Sequence, residues 1–270
     1  MPEVSCCGSK YEIIDTHAHV YPEKISLKAA RNIGRFYGVA PHHNGSVKEL
    51  ISKGRKNQVD GYLICSVATS PDQVCAINDF IASECKKHSE FYGFGALHPD
   101  MENIGEEIER IIALGLKGVK LHPDFQRFNI DSKKAYEIYD IVAGRLPILM
   151  HMGDSRYDYS SPQRLARVLK DFRNLRIIAA HLGGYRVWDI ARQYLKHHEL
   201  KFDTSSAQAL LSPEQAREQI RYLGAENCFF GTDYPLWDYG KEIEAFFRLG
   251  LTDEENSMIL AENFKRFISE

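Results

Sequence analysis

The 270-residue chain lacks several features that would assign it to a specialised class of protein. It has no long basic run, and its 34 basic and 37 acidic residues nearly balance, which argues against nucleic-acid binding. No apolar run approaches the roughly 20 residues that cross a bilayer, and the N-terminus has no secretory signal pattern. The six cysteines show no disulfide framework of a small secreted domain. These absences predict a cytoplasmic protein that binds neither membranes nor nucleic acid.

Glycine is missing from the turn that follows the first apolar run. That turn reads D-T-H-A-H at residues 15–19, whereas a doubly wound sheet usually binds phosphate through a glycine-rich first turn. Eight short apolar runs predict strands, and several are continuous rather than alternating, as in strands buried on both faces. The predicted strands are residues 11–15, 61–67, 91–97, 118–121, 147–151, 176–181, 200–203 and 228–232.

Segments with helix signals separate these strands. Ser-Pro pairs at 70–71, 161–162 and 212–213 are typical of an N-cap followed by proline at the first helical position. Further helices are predicted at residues 47–58, 72–88, 101–114, 132–143 and 187–198. About eight strand–helix repeats over some 250 residues are typical of a (β/α)8 barrel. We therefore predict an α/β protein with one TIM-barrel domain over residues 1–270, in which residues 1–10 are a flexible terminus.

Polar side chains stand where five of the predicted strands end, and catalytic residues of such barrels lie at that end. They are Asp15, His17 and His19 on the first strand, Lys120 and His122 on the fourth, His151 on the fifth, His181 on the sixth and Asp233 on the eighth. Imidazoles and a carboxylate with an open position for water make a hydrolytic metal site. The metal predicted first is Zn²⁺, and Mn²⁺ or Fe²⁺ would also accept mixed nitrogen and oxygen ligands.

These motifs also carry a family resemblance. H-x-H at residues 17–19, single histidines at the ends of the fifth and sixth strands, and G-T-D-Y-P at residues 231–235 resemble the amidohydrolase superfamily. The chain is most similar to the amidohydrolase-related branch, which includes aminocarboxymuconate semialdehyde decarboxylase, resorcylate decarboxylases and dicarboxylate lactonases. The resemblance extends over nearly the whole chain and is specific to the superfamily rather than to one reaction.

The resemblance implies roles for individual residues. His17, His19, His151 and Asp233 would bind one divalent metal. His181 would then act as the general acid or base, with Asp233 also taking part in proton transfer. In binuclear members of the superfamily, a carboxylated lysine on the fourth strand bridges two metals. Lys120 stands on that strand, so a second-metal role stays open beside a role in holding an anionic substrate group.

Other side chains near the same rim are weaker candidates for substrate contact. Basic groups could grip a carboxylate, and aromatic rings could flank a planar ligand. The candidates are His122, Arg127, Arg156, Tyr185 and Trp237. Asp154 and Asp203 also end strands and could orient a ligating histidine. The long segment from Val20 to Gly45 is expected to lie over the catalytic face.

Three functions stay open at this stage. The first is a metal-dependent hydrolase of a small carboxylate-bearing amide, ester or lactone. The second is a non-oxidative decarboxylase or hydratase of an aromatic or unsaturated acid on the same metal site. The third, a non-catalytic binding protein, is disfavoured because every expected ligand position carries a competent residue. Relatives of this branch are often dimers, so the resemblance also implies a homodimer.

Overall fold

A computed structural model of the protein describes residues 11–196 and 198–270. Its eight strands are parallel and follow one another in chain order within one sheet. They are β1 (Ile14–His19), β2 (Gly61–Cys65), β3 (Phe91–Ala96), β4 (Gly118–Leu121), β5 (Ile148–Met150), β6 (Ile177–Ala179), β7 (Lys201–Asp203) and β8 (Cys228–Phe229). All eight predicted strands are present. Residues 1–10, predicted as a flexible terminus, lie outside the described residues. The predicted helix at residues 187–198 includes His197, which also lies outside them.

Backbone hydrogen bonds join the last strand to the first. The Thr16 amide donates to the Phe230 carbonyl at 2.9 Å, and the His19 amide donates to the Tyr234 carbonyl at 2.8 Å. These bonds close the sheet into a barrel, because the pairing from β1 to β8 is otherwise continuous. The predicted (β/α)8 fold is confirmed.

Helices connect the strands and cover the barrel. They are α1 (Glu23–Tyr37), α2 (Val47–Lys56), α3 (Val74–Lys87), α4 (Ile104–Ala113), α5 (Pro123–Gln126), α6 (Lys133–Val142), α7 (Pro162–Asp171), α8 (Trp188–Leu195), α9 (Ala207–Leu210), α10 (Pro213–Leu223), α11 (Tyr239–Phe247), α12 (Asp253–Ser257) and α13 (Asn263–Ser269). Ser212 caps α10 with a reciprocal hydrogen-bond pair, as its Ser-Pro signal predicts. No helix within the described residues is long and apolar enough to cross a bilayer.

The first strand differs from its predicted bounds. It begins at Ile14 rather than Tyr11 and continues through Asp15 to His19, with an irregularity in its pairing to β2 between Asp15 and Ala18. The apolar run ends at Asp15, so the polar residues from Thr16 to His19 carry no strand pattern of their own. All six strand residues are buried, so this polar end of β1 lies inside the protein.

The barrel interior has an apolar part and a polar part. The apolar side chains of one buried cluster come mainly from several strands and from the C-terminal helix, and they include Ile14, Leu63, Phe94, Leu149, Ile178, Phe229, Phe264 and Phe267. Packing of this kind fixes the strands around a solid core. The polar part lies at the carboxyl ends of the strands, where the predicted site residues are found.

Candidate active site

Three of the predicted metal ligands converge at the carboxyl ends of β1 and β8. His17 Nε2 lies 3.2 Å from His19 Nε2, and both atoms lie 3.7 Å from Asp233 Oδ1. His17 Nδ1 lies 2.9 Å from Asp203 Oδ2, so its proton is donated to this carboxylate and Nε2 presents a lone pair. Burial lowers the pKa of His19 well below its ordinary value, and the charge of Lys120 lowers it further. This donor set fits a divalent cation.

Asp203 at the end of β7 organises this group. Its Oδ1 accepts hydrogen bonds from the backbone amides of His181 at 3.0 Å and Ser205 at 3.1 Å. Burial opposes ionisation of Asp203, but the adjacent His17 ring, His181 and a hydrogen bond from the Ser205 hydroxyl hold the pKa of its carboxyl well below its usual range. Asp203 therefore stays charged and fixes the orientation of His17.

His151, the fourth predicted ligand, pairs instead with His181. His151 Nδ1 lies 2.9 Å from His181 Nε2. The outer nitrogens face carbonyl oxygens: His151 Nε2 lies 2.9 Å from Gly153 O and His181 Nδ1 lies 3.0 Å from Ser205 O. If each ring donates to its carbonyl, the two inner nitrogens face each other with lone pairs. Burial lowers the pKa of both rings, which disfavours a proton between them. The facing nitrogens thus suit a cation.

Lys120 lies beside His17, and its charge acts on both histidine pairs. Its ammonium nitrogen is 3.1 Å from His17 Nε2, and the residue is only 1% exposed. Its charge contributes to the lowered pKa values of His19 and His151. Burial in turn lowers the pKa of Lys120 itself. The predicted rim lysine is therefore a buried residue beside His17, not a solvated one.

His122 and Tyr185, predicted substrate contacts, stand beside the His151–His181 pair. The His122 ring stacks between Phe125 at 3.8 Å and His151 at 3.9 Å, centroid to centroid. Tyr185 is buried, its ring lies 6.3 Å from that of His151, and its hydroxyl has no hydrogen-bond partner. Together with Phe125 and Tyr37, these two side chains form what is here called the aromatic wall of the site.

The two predicted arginines are placed differently. Arg127 is exposed and ends α5 in a left-handed conformation. Arg156 directs its guanidinium at Asp154, with distances of 2.9 Å from Nε and 2.7 Å from Nη2, and also donates to the Phe36 carbonyl. The Arg156 fork is therefore already occupied by protein groups.

Trp237, the remaining predicted contact, acts on Asp233 through a serine. Its indole N–H donates to Ser206 Oγ at 2.8 Å, and Ser206 Oγ donates to Asp233 Oδ2 at 2.6 Å. This chain holds one carboxylate oxygen and leaves Oδ1 turned toward His17 and His19.

Asp15 bonds to the backbone amide of His17 and to groups after β8 rather than to the imidazoles of His17 and His19. Its carboxylate accepts hydrogen bonds from Thr232 Oγ1 at 2.6 Å and from the Tyr239 hydroxyl at 2.9 Å. Burial raises the pKa of Asp15 to about 6. Regular alternation along a strand would place Asp15 on the same face as the two histidines, but the pairing irregularity of β1 falls between them. Asp15 instead ties β1 to the segment after β8.

The backbone is unusual where three strands deliver their side chains. His181, Ser206 and Asp233 each have φ of 59°, in the left-handed region that residues other than glycine rarely adopt. Such conformations cost about 1–3 kcal/mol each and cluster at functional sites. No sequence signal marks them, since none of the three is a glycine or an asparagine.

Sequence reasoning missed four residues that the structure places in the site. Ser205 and Ser206 belong to a D-T-S-S stretch that matched no known motif, and Asp124 follows His122 by two residues. Tyr37, at the end of α1, contacts His122 at 2.9 Å. The only available signal for Tyr37 was the length of the segment that follows β1.

The barrel and the buried cluster of imidazoles and carboxylates define a metal-binding (β/α)8 enzyme. A family model described as amidohydrolase matches residues 14–268, and the chain belongs to this family. A search of curated proteins found no significant match.

Solved structures with the same fold include enzymes of two reaction types. 5-Carboxyvanillate decarboxylase from Sphingomonas paucimobilis has a TM-score of 0.76 and 16% identity, over 96% of this chain and 99% of that one. The 5-carboxyvanillate decarboxylase from Novosphingobium aromaticivorans, solved with manganese and 4-hydroxy-3-methoxy-5-nitrobenzoic acid, has a TM-score of 0.74 and 16% identity, over 96% of both chains. A probable 2-pyrone-4,6-dicarboxylic acid hydrolase from Acinetobacter baumannii, solved with citric acid, has a TM-score of 0.71 and 18% identity, over 96% of this chain and 100% of that one. At these identities the likeness shows the fold alone.

Proposed function

We propose that the protein is a metal-dependent hydrolase of a small carboxylate-bearing amide, ester or lactone. The observation that carries this proposal is the convergence of His17 Nε2, His19 Nε2 and Asp233 Oδ1 at the mouth of the barrel, with Asp203 fixing the His17 tautomer. Three electron-pair donors that face one point leave further positions of a cation open to water and substrate.

The metal we propose is Zn²⁺, with Mn²⁺ or Fe²⁺ as alternatives. The manganese bound by the Novosphingobium decarboxylase supports a divalent metal of this type. When bound, such an ion supplies Lewis-acid chemistry that acidifies water and polarises a carbonyl group.

Asp233 and His181 are the residues we assign to proton transfer. Ser206 donates to Asp233 Oδ2 and so holds the carboxylate in place, and this carboxylate can accept a proton from water and return it to the leaving nitrogen or oxygen. His181 Nε2 can serve in the same way when one metal ion is bound. With two ions, His151 Nδ1, His181 Nε2 and Lys120 would hold the second ion instead. The lowered pKa of Lys120 leaves more of its amine uncharged, which is the form that carbon dioxide carboxylates.

A decarboxylase is the second candidate, and the aromatic wall favours it. Phe125, Tyr37 and Tyr185 surround His122 and His151, with Tyr37 at ring distances of 5.9 Å from Phe125 and 5.1 Å from Tyr185. Planar aromatic acids suit such a wall. The two 5-carboxyvanillate decarboxylases with this fold lend support to the same reading.

Metal analysis combined with two product assays tests the proposal. Protein purified without chelators is analysed for metal per chain, then assayed for acid release from small carboxylated lactones and esters and for carbon dioxide release from hydroxybenzoates. One metal ion per chain together with hydrolysis supports His181 as the proton carrier. Two metal ions per chain would instead indicate that His181 and Lys120 are metal ligands. Carbon dioxide release without hydrolysis would select the decarboxylase. A chain that binds no metal after metal is added back would contradict both.

A further inference from the structure

Two tyrosine hydroxyls on the aromatic wall, Tyr37 and Tyr185, are here called the phenol pair. Their rings lie 5.1 Å apart, centroid to centroid, and the Tyr185 ring lies 5.8 Å from that of His181. The Tyr185 hydroxyl is buried without any hydrogen-bond partner. Buried polar groups are nearly always hydrogen-bonded, so an unpartnered hydroxyl beside a catalytic site calls for a ligand.

The hydrogen bond of Tyr37 leaves its own proton free. The Phe125 amide donates to His122 Nδ1 at 3.3 Å, so His122 Nδ1 carries a lone pair and the ring proton is on Nε2. His122 Nε2 therefore donates to the Tyr37 oxygen, 2.9 Å away. The Tyr37 hydroxyl proton has no acceptor among the described residues. Burial raises the pKa of Tyr37 well above its ordinary value, so the hydroxyl remains a donor.

The position of Tyr37 is fixed by contacts outside the wall. Arg156 donates to the carbonyl of Phe36, and its guanidinium carbon lies 4.6 Å from the centre of the Phe36 ring. Asp154 in turn holds Arg156. Helix α1 ends at Tyr37, because the next residue, Gly38, has a left-handed φ of 68° and caps the helix. The donor is thus held in place before a ligand arrives, which lowers the entropy cost of binding.

We propose that the phenol pair donates hydrogen bonds to an oxygen of the substrate and so forms a subsite for the carboxylate or carbonyl group of a planar acid. This inference rests on the proposed function, because it requires a site that binds a small acid. It adds Tyr37, supplied by the long segment after β1, to the residues that contact the substrate. Arg156 then positions Tyr37 and does not itself grip the acid.

Hydroxyl-deletion variants test the phenol pair, with benzoate as the probe. Manganese-loaded wild-type protein, Tyr37→Phe and Tyr185→Phe are titrated with benzoate by calorimetry, and metal content and melting temperature are measured on the same samples. Tyr157→Phe is the matched control, because Tyr157 is 43% exposed and stacks on Phe36 at the outer side of the same contact. The Tyr157→Phe variant also loses one phenol hydroxyl, but at a solvent-exposed side chain.

The expected result is that each deletion within the phenol pair weakens benzoate binding about 10-fold or more, since a hydrogen bond to a charged group is lost. Tyr157→Phe should bind benzoate as the wild type does. Tyr185→Phe is decisive, because its hydroxyl has no partner in the free protein. Its melting temperature should stay the same or rise while its affinity falls, which a purely structural role would not produce.

Three outcomes would overturn the inference: wild-type protein that holds metal but does not bind benzoate, Tyr185→Phe that binds it as tightly as the wild type, or affinity that falls only together with metal content. Failure of the wild type to hold metal would instead contradict the proposed function. The two failures are therefore distinguishable.

Discussion

The site has two halves that use histidine differently. The carboxylate half consists of His17, His19, Asp203 and Asp233 from β1, β7 and the segment after β8. The imidazole half consists of His122, His151 and His181, which follow β4, β5 and β6. In the carboxylate half, His17 donates to Asp203 and faces Asp233. In the imidazole half, the rings contact one another and backbone carbonyls.

This difference shows that the neighbours of a buried imidazole decide its use. A charged carboxylate orients His17 and supplies negative charge for a cation. On the other side, Asp124 lies 3.5 Å from His151, but burial raises the pKa of Asp124 to about 7. Its carboxyl is therefore partly protonated at neutral pH. We expect the carboxylate half to bind the first metal ion more tightly than the imidazole half.

The largest expected effect comes from removing His17. His17→Gln should lose the metal ion from the carboxylate half and lower kcat/KM on the order of 10³-fold, because the Lewis-acid contribution of several kcal/mol disappears. Metal analysis and turnover check this outcome. His122→Gln, in the imidazole half, should keep the first ion. Equal metal loss in both variants would remove the distinction between the halves.

Glu242 on α11 is a buried acid that interacts with Asp233 of the carboxylate half, and this burial affects the stability of the protein as the pH changes. It is 3% exposed, its Oε2 has no partner, and burial and the charge of Asp233 raise its pKa to about 8 from an ordinary 4.5. The folded state holds this proton where the unfolded chain has lost it. The stability that it contributes below about pH 4.5 is therefore lost as the pH rises toward 8, by about 4 kcal/mol.

Glu242→Gln should remove this loss, so its free energy of unfolding should fall less steeply than that of the wild type between about pH 4.5 and 8. Denaturant unfolding of metal-free protein across this range measures the slope. Glu244→Gln on the same helix, where the side chain is 71% exposed, is the control and should follow the wild type. Identical slopes for the wild type and Glu242→Gln would show that Glu242 is ionised in the folded protein.

A smaller effect is expected at the carboxylate that orients His17. Asp203→Asn should weaken metal binding about 10- to 100-fold, because the His17 tautomer is no longer fixed by a charge. Asp124→Asn is the matching change in the imidazole half and should cost less, since Asp124 is already partly protonated. Competition with a metal chelator measures both affinities. A larger loss in Asp124→Asn would invert the comparison.

The smallest effect is expected from a matched pair of tryptophans. Trp237 donates to Ser206 in the carboxylate half, and Trp188 donates to the His181 carbonyl at 3.0 Å in the imidazole half. Each change to Phe removes one hydrogen bond worth about 1 kcal/mol. Trp237→Phe should lower kcat less than about tenfold and shift its pH profile, because Asp233 loses support. Trp188→Phe should lower only the melting temperature. A pH shift in both variants would contradict separate roles.

Much of this fold could be predicted from the sequence because the relevant signals are local. Short apolar runs marked all eight strands, and the Ser-Pro pair at Ser212 marked the start of α10. The histidines of β1, β5 and β6 were recognised because the end of a barrel strand is a functional position. By contrast, α1 was not predicted, since the segment after His19 is mixed in composition, and the helix gains its order from packing over the site.

The sequence by itself determined the barrel, the family and the residue types that meet at its mouth, because periodicity and motif spacing are properties of the chain. Only the tertiary structure decided which histidine faces which partner. The pairing irregularity of β1 turned Asp15 away from the imidazole of His17, and left-handed backbone at His181 and Asp233 set the directions of their side chains. Orientation at this scale depends on contacts between residues far apart in the chain, such as His17 with Asp203 and Tyr37 with His122. No local pattern encodes such contacts.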